Sequence, residues 1–242
     1  MSKLAGKTAI VTGAGRGIGR GIARGLAREG ASLALVARSE SELNSAAAEI
    51  RDLNVDVLVL PADITDEQQV ETLFARVQQT FGRLDLLVNN AGAFDGGPLE
   101  ELSVEAWDKV IAINLRAPFL CTRAAIRVMK PQGGGRIINV GSISAQRVRF
   151  GSAPYSASKH GLWGLTQVTA LEGREHGITC GCLHPGNIQV ERRLTDRPED
   201  AEPMMTVDEI AEVAVLMATL PPHVEMLEAI VLPSQQLYVG RG

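Results

Sequence analysis

The chain has 242 residues, 45% of them hydrophobic and 21% charged, with a formal net charge of −4. That balance excludes a disordered, collagen-like or disulfide-scaffold chain, and without a basic block there is no electrostatic case for nucleic-acid or anionic-membrane binding. No apolar run approaches a bilayer span, and Met1–Lys7 lacks an apolar signal core, so a cytoplasmic protein is expected.

Short β-branched runs alternate with longer amphipathic ones. Thr8–Val11 reads as a strand closed by a glycine-rich turn. Ile18, Ile22 and Leu26 then repeat every four residues, which marks one helix face. Ser32–Val36 is a second strand, and Ser39 with Glu42 forms a capping box for a helix through Leu53. Val55–Leu60 is a third strand, stopped by Pro61. Thr65 with Gln68 caps the next helix, whose apolar side carries Val70, Leu73, Phe74 and Val77. Leu84–Val88 is a fourth strand.

A long helical region runs from about Ser103 to Met129, and Pro118 inside it predicts a kink or boundary. Arg136–Val140 is strand five. Pro154 or Tyr155 opens a helix to about His176, and Ile178–Leu183 is strand six. Thr206 with Glu209 caps a helix bearing Ile210, Val213 and Met217, and Glu228–Leu232 supplies a last strand. Such alternation implies one α/β domain over residues 1–242, a Rossmann-type doubly wound parallel sheet with helices on both faces. Only the charged stretch around 190–206, with Pro198 and Pro203, breaks the pattern. It reads either as a solvated surface loop or as a substrate lid.

The turn Thr12-Gly13-Ala14-Gly15-Arg16-Gly17-Ile18-Gly19 leaves a strand and opens a helix. Glycines there permit a tight turn and let backbone N–H groups reach a pyrophosphate, and the helix N-terminus adds partial positive charge. Gly21 and Gly25 are expected to bring the helix close to the sheet. A NAD site usually carries an acid at the tip of the second strand. Here that strand ends Val36-Ala37-Arg38. Arg38 and Arg16 suit a 2′-phosphate, so NADP(H) is expected. The competing reading leaves both arginines in solvent and gives the ribose to Glu40 or Glu42.

Tyr155-Ser156-Ala157-Ser158-Lys159 begins a helix, so the phenol and the ammonium share one face. A neighbouring cation favours the phenolate, which would poise Tyr155 for proton transfer. Ser142 falls just past strand five, on the edge where an open α/β sheet binds its ligand. Its hydroxyl could hydrogen-bond a carbonyl oxygen.

With these motifs in order, the chain resembles the short-chain dehydrogenases/reductases. The resemblance rests on Gly13, Gly17 and Gly19, on Asn89-Asn90-Ala91-Gly92 after strand four, and on Asn114, Ser142, Tyr155 and Lys159. It implies hydride transfer between NADP(H) and a carbonyl carbon of a small-molecule substrate. Tyr155 would be the acid/base, and Ser142 would orient the carbonyl. Lys159 would assist the tyrosine and bind the nicotinamide ribose, and Asn114 would hold a relay water. The loop Gly13, Gly15, Arg16, Gly17, Ile18 and Gly19 would hold the cofactor together with Arg38, Asp63, Ile64, Asn90, Ala91, Gly92, Pro185, Gly186 and Ile188. A homo-oligomer, by resemblance a tetramer, is implied as well.

The chain departs from the family pattern at Val190, where a threonine usually contacts the carboxamide. Its tail looks more like NADP-dependent 3-hydroxy-acid and clavulanate-type dehydrogenases than 3-oxoacyl-carrier-protein reductases. A non-catalytic NADP(H) sensor is the alternative function. Cys121, Cys180 and Cys182 have no paired spacing and read as buried apolar side chains. His176, His184 and His223 have no metal-ligand spacing, so no metal is expected. Arg147, Arg149, Arg192 and Arg193 could border the substrate, though surface charge is the simpler reading.

Overall fold

Seven aliphatic runs form one parallel sheet. The computed structural model describes residues 2–190 and 203–238. Its strands are β1 (Thr8–Thr12), β2 (Ser32–Ala37), β3 (Val57–Pro61), β4 (Leu86–Asn89), β5 (Gly135–Val140), β6 (Ile178–Pro185) and β7 (Glu228–Val231). They lie in the order β3-β2-β1-β4-β5-β6-β7, and every adjacent pair is parallel. Parallel neighbours need crossovers. Helices supply most of these: α1 (Gly17–Arg28), α2 (Glu40–Arg51), α3 (Glu67–Phe81), α4 (Val104–Ile111), α5 (Ala117–Met129), α6 (Ala153–Gly173) and α7 (Val207–Thr219).

Alternate strand residues feed opposite faces. Val11, Leu33 and Leu35 join Ile22 and Leu26 of α1 and Ile210 of α7 in one core. Ile10, Ala34 and Leu87 join Leu73 and Phe74 of α3 and Leu120 of α5 in the other. This is the doubly wound Rossmann-type sheet that the alternation implies. The strand order reverses between β1 and β4, and a crevice beyond the C-terminal ends of such strands is where open α/β sheets bind ligands.

Local details depart from the sequence reading. Asp66, not Thr65, caps α3, accepting from the N–H groups of Gln68 and Gln69, because the Thr65 hydroxyl is drawn off to Asp63 at 2.8 Å. The region from Ser103 to Met129 breaks at a π turn, Ala112–Arg116. Pro118 lies in the first turn of α5, directly after the π turn, and its missing N–H and its ring, set against the carbonyl four residues back, give the boundary that the sequence predicts. Gly21 and Gly25 face Val207 and Val215 of α7, so they bring α1 close to a helix rather than to the sheet. The Thr206–Glu209 capping box is complete. Most of the 190–206 stretch, with Arg192 and Arg193, lies outside the described residues. No helix among those described is long and apolar enough to cross a membrane.

Candidate active site

The Gly13–Gly19 turn is braced from β4. The Thr12 hydroxyl donates to the Val88 carbonyl and accepts from the N–H groups of Asn90 and Ala91. Asn90 returns the contact, donating through Nδ2 to the carbonyls of Thr12 and Gly13 at 2.9 and 3.3 Å. Gly13 has φ 65°, and a Cβ there would stand 2.9 Å from Ala91 Cα. A Cβ on Gly19 would stand 2.2 Å from the Gly13 carbonyl oxygen. Neither position admits a side chain, so the helix start is held tight against the strand ends.

Arg16 occupies the N-cap position of α1 but provides no side-chain cap, and the first turn has no acidic residue. Its backbone donors and partial positive charge thus lack a side-chain cap within the helix, the condition that fits a bound pyrophosphate. A cleft of about 360 Å³ opens here, lined by Gly17, Arg20, Gly21, Gln189, Val190 and Thr206. Tyr155 and Ser142 are not in its lining.

Arg38 is exposed at the end of β2. Arg16 is exposed too, but it pairs with Glu42 at 3.4 Å, and the Glu42 side chain packs directly over Gly15. The tip of β2 therefore offers two guanidinium groups and one carboxylate. Asp63 is partly buried and tied to Thr65, with Ile64 buried beside it.

On the other side of the crevice α6 carries Tyr155 and Lys159. Lys159 is 5% exposed. Its ammonium donates to the Val140 carbonyl at 2.9 Å and lies 5.6 Å from the centre of the Tyr155 ring. Phe94 packs against the same ring, tilted, centre to centre 5.3 Å. Val140 ends β5, so Ser142 follows two residues after the carbonyl that holds the ammonium. The Ser142 hydroxyl accepts from the Ser144 N–H at 3.1 Å, which leaves its O–H free to turn outward.

Asn114 is fully buried in the π turn. Its amide pairs on both edges with the Ala93 peptide, at 2.8 and 2.9 Å, and Nδ2 also donates to the Ser158 hydroxyl. Ser158 in turn donates to the Tyr155 carbonyl. Gly92 stands open to solvent, its would-be Cβ 3.5 Å from Asn114 Oδ1. The π turn thus ties α4–α5 to the Tyr155 helix and to the segment after β4.

The far wall is Pro185-Gly186-Asn187-Ile188. Asn187 accepts from Arg149 through its side chain, and its N–H donates to Gln236. Ile188 bridges Met205, so Val190 follows a pinned segment. Arg147 lies over the Tyr238 ring.

Three contributors went unread in the sequence: Thr12, Ser158 and Gln236. Thr12 and Ser158 carried a local signal, lying inside the Thr12–Gly19 and Tyr155–Lys159 motifs. All three cysteines are buried, and burial pushes the thiols of Cys121 and Cys182 up to about 12.

Residues 7–201 match the family described as short chain dehydrogenase. An uncharacterised oxidoreductase of Bacillus subtilis (strain 168) is 36% identical over 234 residues, 88% of this chain and 91% of its own. One from Staphylococcus aureus (strain MRSA252) is 34% identical, covering 96% of this chain and all of its own. Among solved structures, a putative short-chain alcohol dehydrogenase from Sinorhizobium meliloti 1021 superposes with TM-score 0.88 at 30% identity, over 95% of both chains. A metagenomic short-chain oxidoreductase in complex with NADP gives 0.85 at 34% identity, over 96% of this chain and 99% of that one.

Proposed function

The chain belongs to the short-chain dehydrogenase family of oxidoreductases, and from that premise we propose that it is an NADP(H)-dependent carbonyl reductase, reversible as a secondary-alcohol dehydrogenase. The observation that carries the reading is the convergence on one edge of the sheet. Tyr155 and Lys159 share a helix face, Ser142 sits two residues past the carbonyl holding Lys159, and Asn114 is tied to the same helix through Ser158.

The uncapped start of α1, with Gly13, Gly15, Gly17, Ile18 and Gly19, would hold the pyrophosphate. Asp63, Ile64, Asn90, Ala91 and Gly92 would flank the adenosine half, and Pro185, Gly186 and Ile188 the nicotinamide half. When bound, NADPH supplies the hydride that reduces the carbonyl carbon. Ser142 donates its O–H to the carbonyl oxygen and orients it. Tyr155 gives its proton to that oxygen as the alkoxide forms. Lys159, with N–H donors beyond the one on Val140, holds a ribose hydroxyl and keeps positive charge beside the phenol. Asn114 anchors the route by which the phenol is reprotonated.

Arg38 and Arg16 would take the 2′-phosphate, and the NADP complex of a relative at 34% identity supports this choice. Glu42 favours a second reading. Its carboxylate faces Arg16 across 3.4 Å, and a carboxylate there suits the free 2′-hydroxyl of NAD(H). The substrate class we assign is a ketone of the 3-oxoacyl or 3-oxo-acid type, with 190–206 as the lid. Exposed Trp107, Phe119, Val168 and Leu171 on α4, α5 and α6 support a homo-oligomer, which light scattering would measure.

A panel of 3-oxoacyl thioesters, small 3-oxo acids and xenobiotic ketones, followed by NADPH and NADH absorbance, tests the assignment. Turnover with a preference for NADPH is expected. Preference for NADH moves the assignment to Glu42, and NADPH binding with no turnover anywhere in the panel overturns the reductase in favour of a sensor.

A further inference from the structure

Behind Ser142 lies a buried polar group that hydride and proton transfer do not call on. His184, on β6, is 0% exposed. Its Nδ1 stands 2.8 Å from the carbonyl oxygen of Ser142 and 3.3 Å from the N–H of the same residue. The opposite nitrogen, Nε2, lies 3.4 Å from the Glu228 carboxylate of β7 and makes no hydrogen bond. Glu228 is held in turn by the side chain of Gln146, in the turn that Ser142 begins. Trp163 of α6 meets the ring edge-on at 5.7 Å. The turn is pressed onto the imidazole: a Cβ on Gly141 would stand 2.7 Å from Nδ1 and 2.8 Å from Cys182 Sγ.

We propose that His184 is a positioning residue: with Glu228 as its brace, the imidazole clamps the Ser142 peptide and thereby aims the hydroxyl that meets the carbonyl oxygen. This rests on the role given to Ser142 above. Ordinary packing does not explain the arrangement, because an apolar side chain would fill the space without burying two ring nitrogens. Burial holds the His184 pKa below its ordinary value, against the pull of the Ser142 carbonyl and Glu228 and with Lys159 adding to the fall. A neutral ring has one N–H to give. On Nδ1 it donates to the Ser142 carbonyl. On Nε2 it would face the Glu228 carboxylate 3.4 Å away, and Nδ1 would then accept from the Ser142 N–H. Either way one hydrogen bond falls on the peptide of Ser142, and the choice between them is made at Glu228.

The test compares wild type with His184→Leu, His184→Asn and Glu228→Gln in the full chain, by two readouts. Amide exchange of the segment 139–147, measured without cofactor, reads the clamp itself. Steady-state NADPH oxidation with acetoacetyl-CoA as the probe ketone reads its consequence. His184→Leu is expected to speed exchange of that segment by about 10-fold or more. It should lower kcat by about 10–100-fold, the scale of a small misplacement of a reacting group, with KM for NADPH within about 2-fold of wild type.

Asparagine can return an N–H toward the place of Nδ1, so His184→Asn should recover much of both. Glu228→Gln should lower kcat a few-fold at an unchanged melting temperature. Exchange and kcat at wild-type levels in His184→Leu overturn the proposal. Equal losses in the leucine and asparagine variants, with NADPH affinity falling in step, also overturn it. If the leucine variant does not fold, a silent Glu228→Gln overturns it. A wild type that leaves acetoacetyl-CoA untouched counts against the substrate assignment, and exchange still decides the clamp.

Discussion

The two ends of one sheet handle charge in opposite ways. At the N-terminal end, Asp85 before β4 receives the side chains of Lys7 and Arg83 and the N–H of Thr8. Nearby, Arg136 of β5 gives its guanidinium to the carbonyls of Met217, Leu220, Pro221 and Val224. Charge there is met by the chain itself. At the C-terminal end, α1 begins without a cap, and Lys159 lies buried with Val140 as its carbonyl partner and donors to spare. Paired charge holds strands in register, while charge left short of partners waits for a ligand. Substitutions at the first end should cost stability and spare turnover, and those at the second should do the reverse.

The largest separation is expected from Tyr155→Phe. It should lower kcat by about 10²–10⁴-fold, with the NADPH Kd by fluorescence within about 2-fold and the melting temperature unmoved. At the other end, Arg136→Leu strips four carbonyls of a charged donor. It should cost about 2–4 kcal/mol, seen as a fall of roughly 4–16 °C in Tm, at unchanged kcat.

Asp85→Asn sharpens the contrast through pH. Burial alone would raise the Asp85 carboxyl, but hydrogen bonds from Arg83, Thr8 and Lys7 hold it below the ordinary carboxylate value. A depressed folded pKa stabilises above the unfolded value of about 3.9 and stops doing so as pH falls through the folded one. The variant should lose about 1–3 kcal/mol at pH 7. Its deficit should close below about pH 4, as urea denaturation at pH 7 and pH 3 would record. The smallest effect is Arg38→Ala, which should weaken NADPH binding by about 10-fold and NADH binding by under about 2-fold. Equal losses would place Arg38 outside the 2′-phosphate site.

The legible parts of the fold were those set by local chemistry. Helix faces follow from Ile22 and Leu26 or Leu73 and Phe74, the capping box from Thr206 and Glu209, and the shared face from the Tyr155–Lys159 spacing. The rest depended on distant partners. Thr65 and Asp66 are both fit to cap a helix, and Asp63 decided between them. Pro118 marked the boundary, since the π turn ends two residues before it, but no local signal announced the pairing of Asn114 to Ala93, a partner far away in sequence. Arg16 read as a free guanidinium, and Glu42 reaching across from α2 changed that. His184 carried no spacing signal, since its partners Ser142 and Glu228 are distant in the chain.

The π turn at Ala112–Arg116 has a geometric corollary. An α-helix advances about 100° per residue, and a π turn inserts one residue beyond that rhythm. α4 and α5 are therefore out of phase by that angle. Asn114 can face Ala93 while Leu120, Cys121 and Met129 still face the sheet. Deleting one residue within the turn would restore a continuous helix and make the two orientations incompatible. Either the asparagine would swing off its peptide or the apolar stripe of α5 would rotate toward water.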